Sequence, residues 1–301
     1  MKFLVWNLEN FFLVPHLKSS YNQPLKPQKK VEQIVSVIED LDPDILFLSE
    51  VGGEDSLIKL ETMLKSNYQY FYTEGNSDRG IGIAFLVKKQ GHTFKFHTHT
   101  DDILPAVSLE DRTNPRKFSR DAAELWLCDE TGTPKLIVWG VHLKSGQDRT
   151  GADPKGVRQR SAEVRGLVTL IKKRKSAYPN VTQWMVGDFN GNAAKEKPAA
   201  EFEHLYAQLP EYCDLLERLD VPSNQRWTFA MSYEGSQSLP SQLDYFFIPN
   251  STPTPDPEGS AVVQLWQRLG NNAGPAKTTS ERETWPSDHL PILASWPKCP
   301  F

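Results

Sequence analysis

A chain of 301 residues, 39% hydrophobic and 11% aromatic, is long enough to bury a substantial core and has the make-up of a globular protein. Its formal charge of -4 argues against a uniformly basic nucleic-acid coat but leaves room for a local basic cleft, because fields follow where charges sit. No apolar run approaches a bilayer span, and three cysteines without a CxxC spacing argue against a disulfide framework or a zinc knuckle.

Met1 and Lys2 lead straight into an apolar run, without the basic head, apolar core and cleavage site of a leader. The expectation is a cytoplasmic protein, with a secreted or periplasmic one as the alternative if a leader has been removed. Candidate strands follow at Phe3–Trp6, Ile45–Leu48, Ile81–Val87, Glu124–Cys128, Leu136–His142, Gln183–Val186, Tyr245–Ile248 and Ile292–Trp296. Between the first two, Val31, Ile34, Val35, Ile38 and Leu41 recur at helical spacing behind Pro27. Leu57, Leu60 and Leu64 make a second stripe, and Ala162 through Ile171 a third, which ends in KKRKS. Shorter helical stretches surround Phe202–Leu209 and Leu215–Leu219.

The strands from Ile81 to His142 succeed one another without a helix, so the sheets are expected to be partly antiparallel, with helices elsewhere covering their faces. That is an α/β sandwich of mixed sheets. No internal repeat or linker divides the chain, which predicts one domain over 1–301, read as a monomer. STPTPDPEGS (251–260) and GNNAGPAKTTSERETWP (270–286) read as long surface loops.

Polar residues bound or interrupt these strands: Asn7, Glu50, His142, Asp188, Asn190, Asp244, Asp288 and His289. One carboxylate at a strand end is ordinarily a turn or cap residue. The same event at six strand termini points to one place, because α/β sheets gather ligand sites where rigid strands end. The set suits phosphate-ester hydrolysis. Glu50 and Asp288 are hard oxygen ligands for magnesium; Asn7 and Asn190 can donate to phosphate oxygens; His142 and His289 can donate to phosphate or exchange protons near neutral pH. Asp188 and Asp244 can orient water or fix a histidine tautomer.

WNLEN, LSEV, RGIGIAFL, VHLKS, GDFN, LDYFF and SDHLP, in that order, resemble the endonuclease/exonuclease/phosphatase superfamily, and the match runs from Phe3 to about Trp296. The resemblance implies a four-layer α/β sandwich with two central mixed sheets and a site between their edges. It makes Glu50 the main metal ligand, with Asn7 and Asp288 close to the ion; magnesium is the implied cofactor, with manganese or calcium as alternatives. Asp188 would align or deprotonate the attacking water, Asn190 would hold the phosphate, and Asp244 would orient His289 toward it. His142 would be the second histidine, partnered in the deoxyribonuclease branch by an acid that falls at Asp78. Arg120 falls where that branch contacts phosphate through an arginine.

Three functions follow: a nuclease on DNA or RNA, a phosphatase or phosphodiesterase on a lipid or small phosphorylated molecule, and a binding module that has lost the chemistry. Arg112, Arg116, Lys117, Lys144, Arg149 and Arg158 flank the site in sequence and make a nucleic-acid footprint the first reading. Trp227 and Phe229 suit stacking on a base or core packing in about equal measure. His92, His97 and His99 alternate like a metal strip but read as one face of a strand, and Lys172–Lys175 as a solvated helix end. GIGIAF enters a strand instead of opening a helix and is no dinucleotide fingerprint.

Overall fold

The opening apolar run becomes β1 (Lys2–Phe11), the central strand from which the rest of a computed structural model is best described. It describes residues 1–16, 23–89, 93–146, 151–230, 240–269 and 278–300; His92 and Arg149 lie outside them. In chain order the elements after β1 are α1 (Gln28–Leu41), β2 (Ile45–Val51), α2 (Glu54–Met63), β3 (Tyr68–Thr73), β4 (Gly82–Lys88) and β5 (Thr93–His97). Then come α3 (Leu109–Thr113), β6 (Ala122–Cys128), β7 (Pro134–His142), α4 (Val157–Ala177), β8 (Thr182–Asp188), α5 (Glu203–Gln208) and β9 (Tyr212–Asp214). The last are α6 (Leu215–Arg218), β10 (Asp244–Pro249), β11 (Ala261–Val262), α7 (Leu265–Leu269), α8 (Thr279–Glu283) and β12 (Ile292–Ser295).

The strands form two six-stranded mixed sheets, ordered β11-β12-β1-β2-β4-β3 and β5-β6-β7-β8-β10-β9. β1–β2 and β7–β8 pair parallel, and the other pairs are antiparallel. Each central strand is covered on both faces, which explains its continuous apolar run. Phe3 and Val5 of β1 point between the sheets, onto a core shared with Val138, Trp184, Val186 and Phe246 of the second sheet. Leu4 and Trp6, one residue out of phase, pack instead under α1 and α2. α4 and α5 cover the second sheet in the same way, completing four layers.

All eight expected strands are present. Besides β5, the strand expected around His97, three unexpected ones, β3, β9 and β11, lie at sheet edges; β3 and β9 are only partly buried and β11 has no buried residue. The helix-free stretch is broken once, by α3, a single turn held by a capping box between Ser108 and Asp111. Within the expected loop 270–286, Thr278 caps α8 by accepting from Glu281 N.

Candidate active site

Three site residues share one row across the second sheet. His142, at the end of β7, lies opposite Asp188, at the end of β8, and Asp188 lies opposite Asp244, at the start of β10. Gly187 makes the row possible. It has φ +130, and a Cβ there would stand 2.0 Å from the carbonyl of Val141. Any larger residue would push β8 away from β7 and carry Asp188 with it.

The first sheet meets that row through two adjoining irregularities. β1 does not end at Asn7, as the sequence suggested; it pairs regularly with β2 to Asn7, breaks register, and resumes at Phe11. Glu9, Asn10 and Glu50 all have positive φ, at 49, 49 and 59, so both strands bulge where the site lies, a costly conformation characteristic of functional sites. The bulges aim side chains inward. Asn7 Nδ2 donates to Asp188 Oδ2 at 2.9 Å and joins the sheets. Glu50 Oε2 accepts from Asn10 N at 2.8 Å and from Arg79 at 3.1 Å.

The remaining wall comes from the segment before β12. His289 Nδ1 lies 2.6 Å from Asp244 Oδ2, and its Nε2 stands 4.0 Å from both Asp188 Oδ2 and Asp288 Oδ1. Two buried hydroxyls fix this pair. Ser287 Oγ donates to the carbonyl of Asn7 and accepts from His289 N, while Thr228 Oγ1 accepts from Leu243 N and Asp244 N. Trp6 Nε1 donates to the carbonyl of His289 at 3.0 Å.

Burial and charge drive the two histidines apart. Burial, reinforced by Arg120 and Arg79, holds His142 well below the ordinary imidazole range, so it is neutral. Burial also opposes charge on His289, but Asp244, Asp188 and Asp288 outweigh it and hold it protonated. Asp188 is pushed up to about 7, by burial first and then by Asp244. Its oxygens are fixed by Asn7 Nδ2 and by Asn190 N at 2.8 Å. Burial raises Glu50 too, yet Arg79, Asn10 N and Arg120 together keep its carboxyl below the usual range. A buried acid poised near neutrality between a neutral and a cationic imidazole is arranged to take and give protons.

Residues 4–289 match the model of the endonuclease/exonuclease/phosphatase family. The chain belongs to that family. Its members are phosphoester hydrolases that depend on divalent metal ions. No curated protein matches the chain. Among solved structures it is similar to TDP2 of D. rerio complexed with single-strand DNA product, at 18% identity and TM-score 0.63, covering 98% of this chain and 97% of that one. The human Nocturnin catalytic domain with bound sulfate gives 18% identity and TM-score 0.60, covering 98% and 93%. A mannosyl-6-phosphatase of Bacteroides thetaiotaomicron gives 15% and 0.55, covering 98% of each chain. At these identities the likeness is one of fold.

The fold brings together Asn7, Glu50, His142, Asp188, Asn190, Asp244, Asp288 and His289. Asn190 has φ +52, and its Nδ2 donates to the carbonyl of Leu143 at 3.0 Å. Arg120 is buried beneath, its guanidinium reaching the same carbonyl at 3.3 Å. Lys144 is half-buried beside it, its backbone held by Glu163 and Arg160.

The expected Asp78–His142 pair is not formed. Asp78 is exposed in a turn, and His142 Nδ1 has no hydrogen-bond partner among the described residues. The turn presents Arg79 to the site instead. Arg116 and Lys117 are also not aimed at it: Arg116 Nε donates to Asp111 at 2.6 Å and its NH1 to Gln159, while Lys117 Nζ donates to Asp101 at 2.7 Å. Trp227 stacks on Trp266 against the outer core, whereas Phe229 lies against His289 with ring centroids 4.9 Å apart.

Sequence reasoning missed Arg79 and Arg282. Arg282, on α8, contacts Glu9 and donates to Asp288 Oδ2 at 3.1 Å. The donor set fits the family's metal. Glu50, Asn7 and Asp288 offer hard oxygens, and among the described residues neither Glu50 Oε1 nor Asp288 Oδ1 accepts a hydrogen bond. A tighter cluster, Asp188, Asp244 and His289, also has metal-ligating atoms within 4.8 Å of one another. There, however, Nδ1 of His289 is already committed to Asp244.

Proposed function

We propose that this chain is a phosphodiesterase that hydrolyses nucleic acid by attack of water on the phosphate, with magnesium held by Glu50, Asn7 and Asp288. The observation that carries the reading is Asp188, buried and fixed by two N–H donors between neutral His142 and protonated His289. Held there, a divalent ion would polarise a phosphoryl oxygen and offset the charge that develops on it. Asp188 aligns the attacking water and accepts its proton. Asn190 uses one amide N–H on Leu143 and keeps the other for a phosphate oxygen. Protonated His289, its Nδ1 held by Asp244, presents Nε2–H to the phosphate and can protonate the alkoxide that leaves as the ester P–O bond breaks. The chain is read as one domain acting as a monomer. Among the described residues no helix is long and apolar enough to cross a membrane.

Phe229 supports the choice of nucleic acid, since a half-buried ring beside His289 is a stacking surface next to the reacting phosphate. A small phosphorylated molecule is the second reading. It is favoured by Arg116 and Lys117, whose charge is already spent on Asp111 and Asp101 instead of a polyanion. The deciding experiment sets plasmid DNA, single-stranded DNA, RNA, sugar phosphates, phosphoinositides and a bis-aryl phosphodiester against magnesium, manganese or chelator. Metal-dependent cleavage of nucleic acid is the expected result. Efficient turnover of a sugar or lipid phosphate, with DNA and RNA untouched at low salt, would replace the nuclease reading with the phosphatase one.

A further inference from the structure

Arg282 stands where the outer acids of the site meet. Its NH2 contacts Glu9 Oε1 on the β1 bulge and donates to Asp288 Oδ2 at 3.1 Å, just before β12. Lys26 Nζ and Lys30 Nζ also approach Glu9, at 3.9 and 3.8 Å, but at its other oxygen, Oε2. Among the described residues, Arg282 alone forms ion pairs with both acids. Two carboxylates brought this close repel unless a cation lies between them, and the penalty grows as water is excluded. Phosphoryl-transfer sites commonly meet that need with a second divalent ion. Here the other side of the site is different, because Glu50 Oε1 accepts no hydrogen bond among the described residues and is open to an ion.

We propose that the Arg282 guanidinium is a built-in second cation, filling the Glu9–Asp288 pair and so limiting the protein to one divalent ion, bound on the Glu50 side. The inference rests on the metal reading proposed above. A guanidinium is well matched to this position, since it is always protonated, presents several donors in one plane, and cannot dissociate from the protein. Replacing it with a neutral side chain leaves Glu9 Oε1 and Asp288 Oδ2 as facing hard-oxygen ligands, an arrangement that binds a divalent cation. Replacing it with lysine keeps the charge and should keep the pair closed to metal.

The test counts manganese ions bound per full-length chain, by titration calorimetry and by the loss of the free-ion electron paramagnetic resonance signal. Four proteins are compared: the wild type, Arg282→Gln, Arg282→Lys, and Glu9→Gln combined with Arg282→Gln. The expected counts are one, two, one and one. Thermal melts accompany them, and Arg282→Met serves as the second neutral variant if Arg282→Gln fails to fold. The difference between wild type and the neutral variant reads the role of Arg282, whereas the wild-type count itself reads the single-metal assignment. No ion in wild type and one in Arg282→Gln would sink the metal reading while upholding Arg282 as the internal cation. Equal counts in wild type and the neutral variant would overturn the inference, as would a second ion in Arg282→Lys.

Discussion

The deep wall of the site and its outer rim are built on different terms. On the wall, Asn7, His142, Asp188, Asp244 and His289 are all nearly inaccessible, and each is placed by strand register or by a backbone hydrogen bond. On the rim, Arg116, Lys117 and Arg158 reach out from loops or a helix start and are tied to Asp111, Asp101 and Glu110. A wall set by register tolerates little displacement, because moving one strand moves the whole row. Lys117–Asp101 and Arg158–Glu110 are exposed pairs, which contribute little to the fold and can be exchanged, whereas Arg116 is held on buried Asp111. The candidate catalytic groups therefore sit in the wall, and the rim charges can change without disturbing them.

The sharpest way to break that contrast is to neutralise Glu50, the carboxylate proposed to hold the metal. Glu50→Gln keeps the shape and hydrogen-bonding length, so the fold should survive while kcat falls on the order of 10³-fold. Activity that persists in this variant, or in excess chelator, would remove Glu50 from the mechanism. Next in size is the dyad. His289→Ala and Asp244→Asn should each cost roughly 10²-fold in kcat, and together little more than the worse single change, because partners acting as a unit are non-additive. Fully multiplicative losses in steady-state kinetics would show that the two act separately.

Behind the wall, Asp214 is fully buried. It accepts from Gln242, two residues before Asp244, and from Phe246 N. Burial, with Glu217 adding to it, pushes its carboxyl up to about 7. The folded state thus keeps a proton that an unfolded chain releases near pH ~4. The stabilisation is complete below that pH and is lost as pH rises toward 7, by at most about 1.4 kcal/mol per unit. Denaturant melts across roughly pH 4 to 8 should show this slope, and Asp214→Asn should flatten it. A slope unchanged in the variant would assign the effect to another group.

The smallest effect is predicted on the rim. Changing Arg116 and Lys117 together to Ala should alter the salt dependence of nucleic-acid binding by less than the ~0.9 log units per log unit of salt that one neutralised phosphate contributes. A larger change would mean that both side chains leave Asp111 and Asp101 for the substrate.

The same contrast decides what could be read from the sequence. Wall residues interrupt long apolar runs, so Asn7, His142, Asp188, Asp244 and His289 stood out, and strand register then placed them together. Arg79 sits in a turn whose course no periodicity reports, and the acid beside it, Asp78, was expected in its place. Arg282 lies on a five-residue helix inside a polar stretch, with no apolar stripe to announce it. The bulges at Glu9, Asn10 and Glu50 were equally hidden, because the apolar runs stop at Trp6 and Leu48 and the strands were expected to end there.

The pairing of β1 with β12 has a consequence in time. Phe3 lies opposite Ala294 and Leu4 opposite Leu293, so β1 waits for β12, made about 280 residues later, before the site can close. At the usual ~5–20 residues per second of translation, the roughly 280 residues between Asn7 and His289 take about 15 to 60 s. Until the end of that interval, a nascent chain that already carries Glu50 and Asp188 lacks His289 and has an incomplete site. On the proposed reading, a nuclease would thereby stay inactive beside the messenger and ribosome that make it until β12 has docked.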